Sequence, residues 1–146
     1  ITVGSVAFKV IAPEGLTDNG ENDDSICLIA TTDLNDDGVG EWRALFAGDA
    51  ESEVLDSLND EGTLEDIDIL KVSHHGAKSA LDEELMAVLK PEIALISVGE
   101  RNRYGHPAAN TVSLLESCDA EVFRTDLQGD VVCSLNQTSI SIRTMK

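Results

Sequence analysis

The stretch KVSHHGAKS, Lys71 to Ser79, decides how this chain is read. It closes the apolar run DIDILKVS (66–73), which has the length and composition of a short buried strand. His74 and His75 are two of the chain's three histidines. Neutral imidazole at the end of a buried strand is a common metal ligand. Side chains alternate along an extended segment. The pair is therefore expected to give one inward ligand and one group directed at a neighbour or a substrate. The plainer alternative is one buried, hydrogen-bonded histidine and one exposed one. A metal needs further donors, and the flanking sequence has to supply them.

Outward from this point the chain alternates strand and helix signals. Upstream, residues 2–11 read as a strand and 13–24 (PEGLTDNGENDD) as a Gly-, Asp- and Asn-rich loop. SICLIATT (25–32) and WRALFAG (42–48) read as a hairpin with a long acidic tip. Residues 50–61 place Val54, Leu55 and Leu58 on one helical face. Downstream, Leu81, Leu85, Val88 and Leu89 have helical spacing, and Pro91 stops that helix. EIALISVG (92–99) is another buried strand. Asn110 is placed to cap a helix carrying Val112, Leu114 and Leu115. Three short strands follow, at 121–125, 131–135 and 139–144. This order predicts an α/β architecture with helices layered on a sheet.

Three polar loops follow buried strands: AGDAE (47–51), SHHGAKS (73–79) and RNRYGHPA (101–108). Ligands of open α/β sheets gather at that edge. These loops hold Asp49 and all three histidines. Two readings of Asp49 stand: a carboxylate whose oxygens bridge two cations, or an N-cap for the helix beginning at Ala50. His106 is either part of the same site or a solvated loop histidine. The segment from Asp33 to Gly38, DLNDDG, matches the first half of a D-x-N-x-D-G calcium loop. Position 12 of such a loop is Ala44 instead of the expected Glu, and the flanks are strands. An acidic hairpin tip is the reading carried forward.

Composition narrows the class. The 146 residues are 42% hydrophobic and 3% aromatic, so the core is built from Val, Ile, Leu and Ala. No apolar run approaches the roughly 18 residues that cross a bilayer. The first residue is Ile, and the chain is expected to be a piece of something longer. There are 28 acidic residues against 10 basic, a formal net charge of −18. Such a surface repels phosphate backbones at long range, so binding of nucleic acid would need a cation or a basic partner. Cys27, Cys118 and Cys133 show no metal-type spacing and read as small buried residues without a disulfide framework.

Taken together, GD before a helix, DILKVSHHGAKS, KPEIALISVGERNRYGHP and EVFRTDLQGD resemble the metallo-β-lactamase domain of ComEC-type competence DNA-uptake proteins. Related motifs occur in phosphorylcholine esterases of that superfamily. The resemblance covers roughly residues 22–135. It implies an α/β fold of the αββα sandwich type, of which this chain is the C-terminal half. It also implies two divalent cations, Zn²⁺ or Mn²⁺, with Asp49 as the bridging carboxylate. His74 is the favoured ligand of the HHG pair and His75 the fallback. His75, Asn102, Tyr104 and His106 form the implied catalytic set, with His106 near the substrate phosphate or leaving group.

The superfamily's H-x-H-x-D-H motif is absent, and three histidines cannot hide one. The missing ligands are expected upstream in a longer parent. The implied reaction is metal-assisted phosphodiester hydrolysis on incoming DNA. It would take place on the outer side of a bacterial cell membrane, beside a channel formed by the same polypeptide. The isolated chain is expected to be inactive and metal-poor. A non-enzymatic docking domain and a phosphorylcholine-esterase-like hydrolase are the alternative expectations. Exposed sheet edges in a half-fold predict self-association.

Overall fold

The computed structural model describes residues 1–15 and 22–146; part of the loop expected over 13–24 lies outside them. Among the described residues, seven strands form one mixed sheet in chain order. They are β1 (Thr2–Val3), β2 (Val6–Ala12), β3 (Cys27–Thr32), β4 (Trp42–Phe46), β5 (Ile69–Lys71), β6 (Ile93–Ile96) and β7 (Glu121–Arg124). The first four are antiparallel neighbours. From β4 to β7 every pairing is parallel, with Leu45 opposite Leu70, Leu70 opposite Ala94, and Ala94 opposite Val122. β8 (Asp130–Leu135) and β9 (Ile140–Met145) form a separate hairpin. The α/β class expected from the sequence is the one the chain adopts.

Parallel strands need crossovers, and a helix lies in each of the three. α1 (Ser52–Asp60) joins β4 to β5 by way of a loop, α2 (Glu83–Leu89) joins β5 to β6, and α3 (Ala109–Ser117) joins β6 to β7. The helices bury Leu55, Leu85, Leu89 and Leu115 in one cluster with Leu45, Leu70 and Ala94 of the strands. α2 shows why a short helix holds. Asp82 caps it by accepting a bond from Leu85 N at 2.9 Å, and Glu83 and Glu84 sit in its first turn. Lys90 closes it in the left-handed region before Pro91.

On the opposite face Phe8, Ala30, Trp42 and Ile69 meet Cys133 and Leu135 of the hairpin around an apolar cleft of about 270 Å³. Trp42 Nε1 donates to Asn136 O at 2.6 Å and ties the hairpin to the sheet. The acidic tip folds on itself. Asp33 accepts bonds from Asp37 N and Gly38 N, and Glu41 accepts from Leu34 N at 2.7 Å.

Several boundaries differ from the sequence reading. The expected first strand is broken into β1 and β2. β5 is three residues long, because the chain leaves the sheet after Lys71. Glu51, not Asp49, occupies the N-cap of α1, so the capping reading of Asp49 is corrected. Asn110 lies inside α3 and donates to Lys78 O at 3.3 Å, so it is not the cap. Thr125 does not end β7; it begins the short helix α4 (Thr125–Gln128). Among the described residues no helix is long and apolar enough to cross a membrane.

Candidate functional site

Because β4 to β7 run parallel, the loops leaving them emerge at one edge of the sheet. The loop after β4 carries Asp49 and Glu51. Gly48 lets it turn, with φ +59, and Asp49 N donates to Ser25 Oγ at 3.1 Å. Ser73 Oγ donates to Ala50 O, and His74 N donates to Gly48 O at 3.1 Å, so this loop is fastened to the one after β5. Lys71 reaches into the same region, with Nζ 3.4 Å from Gly48 O. Burial pushes its pKa below the ordinary lysine value, and the Asp49 carboxylate acts in the opposite sense.

The two histidines are not on an extended segment. His74 has φ 44 and ψ 44, and His75 has φ 53 and ψ 24. Two successive non-glycine residues in the left-handed region are costly, and such strain collects at functional sites. Alternation of side chains therefore does not apply, and both rings turn toward the site. His75 Nε2 lies 3.5 Å from Asp49 Oδ1, while its Nδ1 lies 2.5 Å from Ser97 O. His74 Nδ1 faces Glu51 Oε1 at 3.6 Å and Asn22 Nδ2 at 3.5 Å. The His106 ring stands 5.4 Å from that of His74, centroid to centroid.

A carbonyl oxygen can only accept, so the Ser97 contact puts a proton on His75 Nδ1. In the neutral ring Nε2 is then a bare lone pair aimed at a carboxylate. Two acceptors facing each other at 3.5 Å call for something positive between or beside them. A proton on Nε2 meets that need, and so does a cation.

The third loop is held by its own side chain. Asn102 Nδ2 donates to His106 O at 2.6 Å, and Asn102 Oδ1 accepts from His106 N at 3.0 Å. Asn102 thus acts on the backbone of His106 and fixes where its ring stands. Tyr104 stacks on His106, with centroids 6.1 Å apart and planes at 15°. A cleft of about 450 Å³ opens here, lined by His75, Ser97, Asn102, Tyr104, His106 and Thr125.

Glu51, Ser97, Thr125 and Lys71 were not singled out from the sequence. Glu51 lies in the loop already noted. Ser97 acts through its backbone, which no residue pattern announces. Thr125 Oγ1 accepts from Val98 N and donates to Val98 O, each at 2.8 Å, and so pins the strand that delivers Ser97. Cys27 donates to Ala47 O at 3.3 Å beneath the site, and burial pushes its thiol up to about 11. It is a small buried residue there, as its spacing suggested. All three cysteines are free thiols.

On either side of Thr125 in the chain, Arg124 and Asp126 form a two-pronged ion pair, at 3.1 Å and 2.6 Å. The side-chain hydrogen bond from Arg124 holds the Asp126 carboxyl below the usual carboxylate range. Its folded pKa is depressed, so its stabilisation is present above about pH 3.9 and is lost as pH falls through the depressed value. Asp126→Asn is expected to cost about 1–3 kcal/mol at neutral pH, because it leaves Arg124 half-paired. Urea unfolding at neutral and acid pH checks this: the variant should lose less stability on acidification than the wild type.

No family model matches the chain. It is similar to ComE operon protein 3 of Bacillus subtilis (strain 168), 32% identical over 131 residues, which are 90% of this chain and 16% of that protein. It is also similar to Recombination protein 2 of Haemophilus influenzae, 30% identical over 139 residues, which are 93% of this chain and 16% of that protein. The chain thus corresponds to about a sixth of the length of these curated relatives, and nearly all of it takes part in the likeness.

Proposed function

We propose that this chain is part of a metal-dependent phosphodiesterase domain of the metallo-β-lactamase type, acting on DNA within a ComEC-like uptake protein. The observation that carries the reading is His75: its Nδ1 is committed to Ser97 O while its Nε2 faces Asp49. Metal-ligating histidines are oriented in this way by a carbonyl on their other nitrogen. The names of the two relatives support the DNA context. The parallel-sheet edge supports a hydrolytic site there.

The donor set fits a divalent cation in part. Asp49 and His75 would hold it, and carboxylate with imidazole suits Zn²⁺ or Mn²⁺. His75 takes the ligand place here in preference to His74, whose Nδ1 faces Glu51 instead. Among the described residues no group of three or more His, Cys, Asp or Glu side chains is placed to hold a metal. The reading therefore takes the remaining donors from an upstream segment of a longer parent, outside the membrane. A cation bound there supplies charge neutralisation and activation of a water.

The chain's own residues do the rest. Asp49 and His75 orient the cation's side of the cleft, and Lys71 adds a partly desolvated positive group behind Asp49. His106 lines the cleft and serves as the proton donor to the leaving oxygen. Asn102 positions His106 through its backbone. The long-range repulsion set by the net charge of −18 is relieved locally. The loops 73–79 and 101–108 carry Lys78, Arg101 and Arg103 and no carboxylate.

The test is hydrolysis of bis-p-nitrophenyl phosphate and of labelled DNA by the full-length gene product, with Mn²⁺, with Zn²⁺ and with chelator. Cation-dependent cleavage is expected. Absence of cleavage with every divalent cation would instead favour a non-enzymatic docking domain, the reading that a two-donor set otherwise supports. The isolated chain is expected to be inactive and to associate with itself weakly through the open edges of its sheet.

A further inference from the structure

We infer that Tyr104 is a stacking platform for an unpaired nucleobase next to the scissile phosphate, so that the strand held in this cleft is single-stranded DNA. The inference rests on the proposed action on DNA and adds the form of the substrate. Tyr104 is the only tyrosine in a chain that is 3% aromatic. It is nonetheless 85% exposed, so packing does not account for it. One face of the ring is backed by His106, and the other is open to solvent.

Its mounting is rigid. The loop from Gly99 to His106 is closed by Asn102, which bonds Gly99 O through its backbone N–H at 3.0 Å and both backbone groups of His106 through its amide. A fixed aromatic face loses little freedom when a base stacks on it, and this is the usual device for gripping single strands. Arg101 and Arg103 precede Tyr104 in the same loop and are exposed. Among the described residues neither forms an ion pair with a carboxylate. Cations in the same loop as an exposed aromatic face, at the rim of a cleft, fit the pattern of single-strand grooves.

A duplex does not offer this partner. Base faces inside a duplex are covered by their neighbours, and only edges and phosphates reach a protein surface. Stacking on Tyr104 therefore selects strands whose bases are already free. The net negative charge repels nucleic acid at long range, whereas the lip formed by loops 73–79 and 101–108 carries Lys78, Arg101 and Arg103 and no carboxylate.

Fluorescence anisotropy on the 146-residue chain tests this with three probes: a labelled single-stranded oligonucleotide, its blunt duplex, and an abasic sugar-phosphate strand of the same length. Single-strand binding is expected to exceed duplex binding. Tyr104→Ala should weaken single-strand binding by about five- to a hundredfold, the range of one base–aromatic stack. Tyr104→Phe should restore it, and the abasic strand should not distinguish Tyr104→Ala from wild type. Arg103→Ala should lower the salt dependence of single-strand binding by about 0.7 in the log–log slope.

Unchanged single-strand affinity in Tyr104→Ala overturns the inference, as does an equal loss on the abasic strand or no binding of any probe. The hydrolytic reading fails separately. Tyr104-dependent stacking in a protein that never cleaves DNA would leave this inference standing. Asp49-dependent cleavage with an indifferent Tyr104 would remove this inference alone.

Discussion

Replacing Gly76 by alanine is expected to destabilise the fold by about 2–4 kcal/mol and to disorder the whole candidate site. Gly76 sits at φ +77, where an L-residue is strained whatever the space around it. Space is also lacking: a Cβ there would stand 2.7 Å from Pro107 Cβ and 3.3 Å from Pro107 Cα. This is the contact between the histidine loop and the Tyr104 loop, and Ala108 N donates to Gly76 O at 2.8 Å beside it. Relief of the clash has to move the loops apart, and with them His75 and His106. Small domains are stable by only about 5–15 kcal/mol, so the loss is a large share. Urea denaturation reads the stability, and the histidine ring resonances read the site. A variant with wild-type midpoint and wild-type resonances would mean that these loops are not packed as described.

Asp49→Ala is expected to abolish most of the proposed hydrolysis while leaving the fold intact. The loss should reach at least the hundred- to thousandfold that removal of one preorganised electrostatic group costs. The fold should survive because the anchoring bond at this position, to Ser25 Oγ, comes from the backbone N–H. The carboxylate itself is 43% exposed and faces His75. His75→Ala should follow Asp49→Ala in the full-length protein, whereas His74→Ala should cost less. Equal losses from the two histidine variants would count against the assignment of His75. The measurements are kcat with saturating Mn²⁺ and the melting temperature of each variant.

How much of this was legible in the sequence depends on the range of the forces involved. α2 was legible because its signals are local: leucines at helical spacing and Pro91 at the stop. The strands through Leu45, Leu70 and Ala94 were legible because buried parallel strands are short apolar runs. The geometry of His74 and His75 was not. Their left-handed backbone follows from the early end of β5 at Lys71 and from the bond of His74 N to Gly48 O, which links distant parts of the chain. A rule of alternation fails once the strand has ended. Thr125 was absorbed into a strand because β-branched residues favour strands, yet its hydroxyl is engaged with Val98 across the sheet edge. The loops bearing Asp49 and the histidines were correctly gathered at one edge, since parallel order alone puts them there. Which histidine faces Asp49 is a tertiary fact, set by Ser97 O.

The central claim is that Asp49 and His75 together face a cation. The most direct test is Mn²⁺ titration of the isolated chain, followed through paramagnetic broadening of the histidine ring resonances in wild type and Asp49→Ala. Even a weak, two-donor site should broaden His75 before His74 and His106, and Asp49→Ala should remove that preference. Broadening of His74 ahead of His75, or broadening of His75 that is the same in Asp49→Ala, would contradict the account.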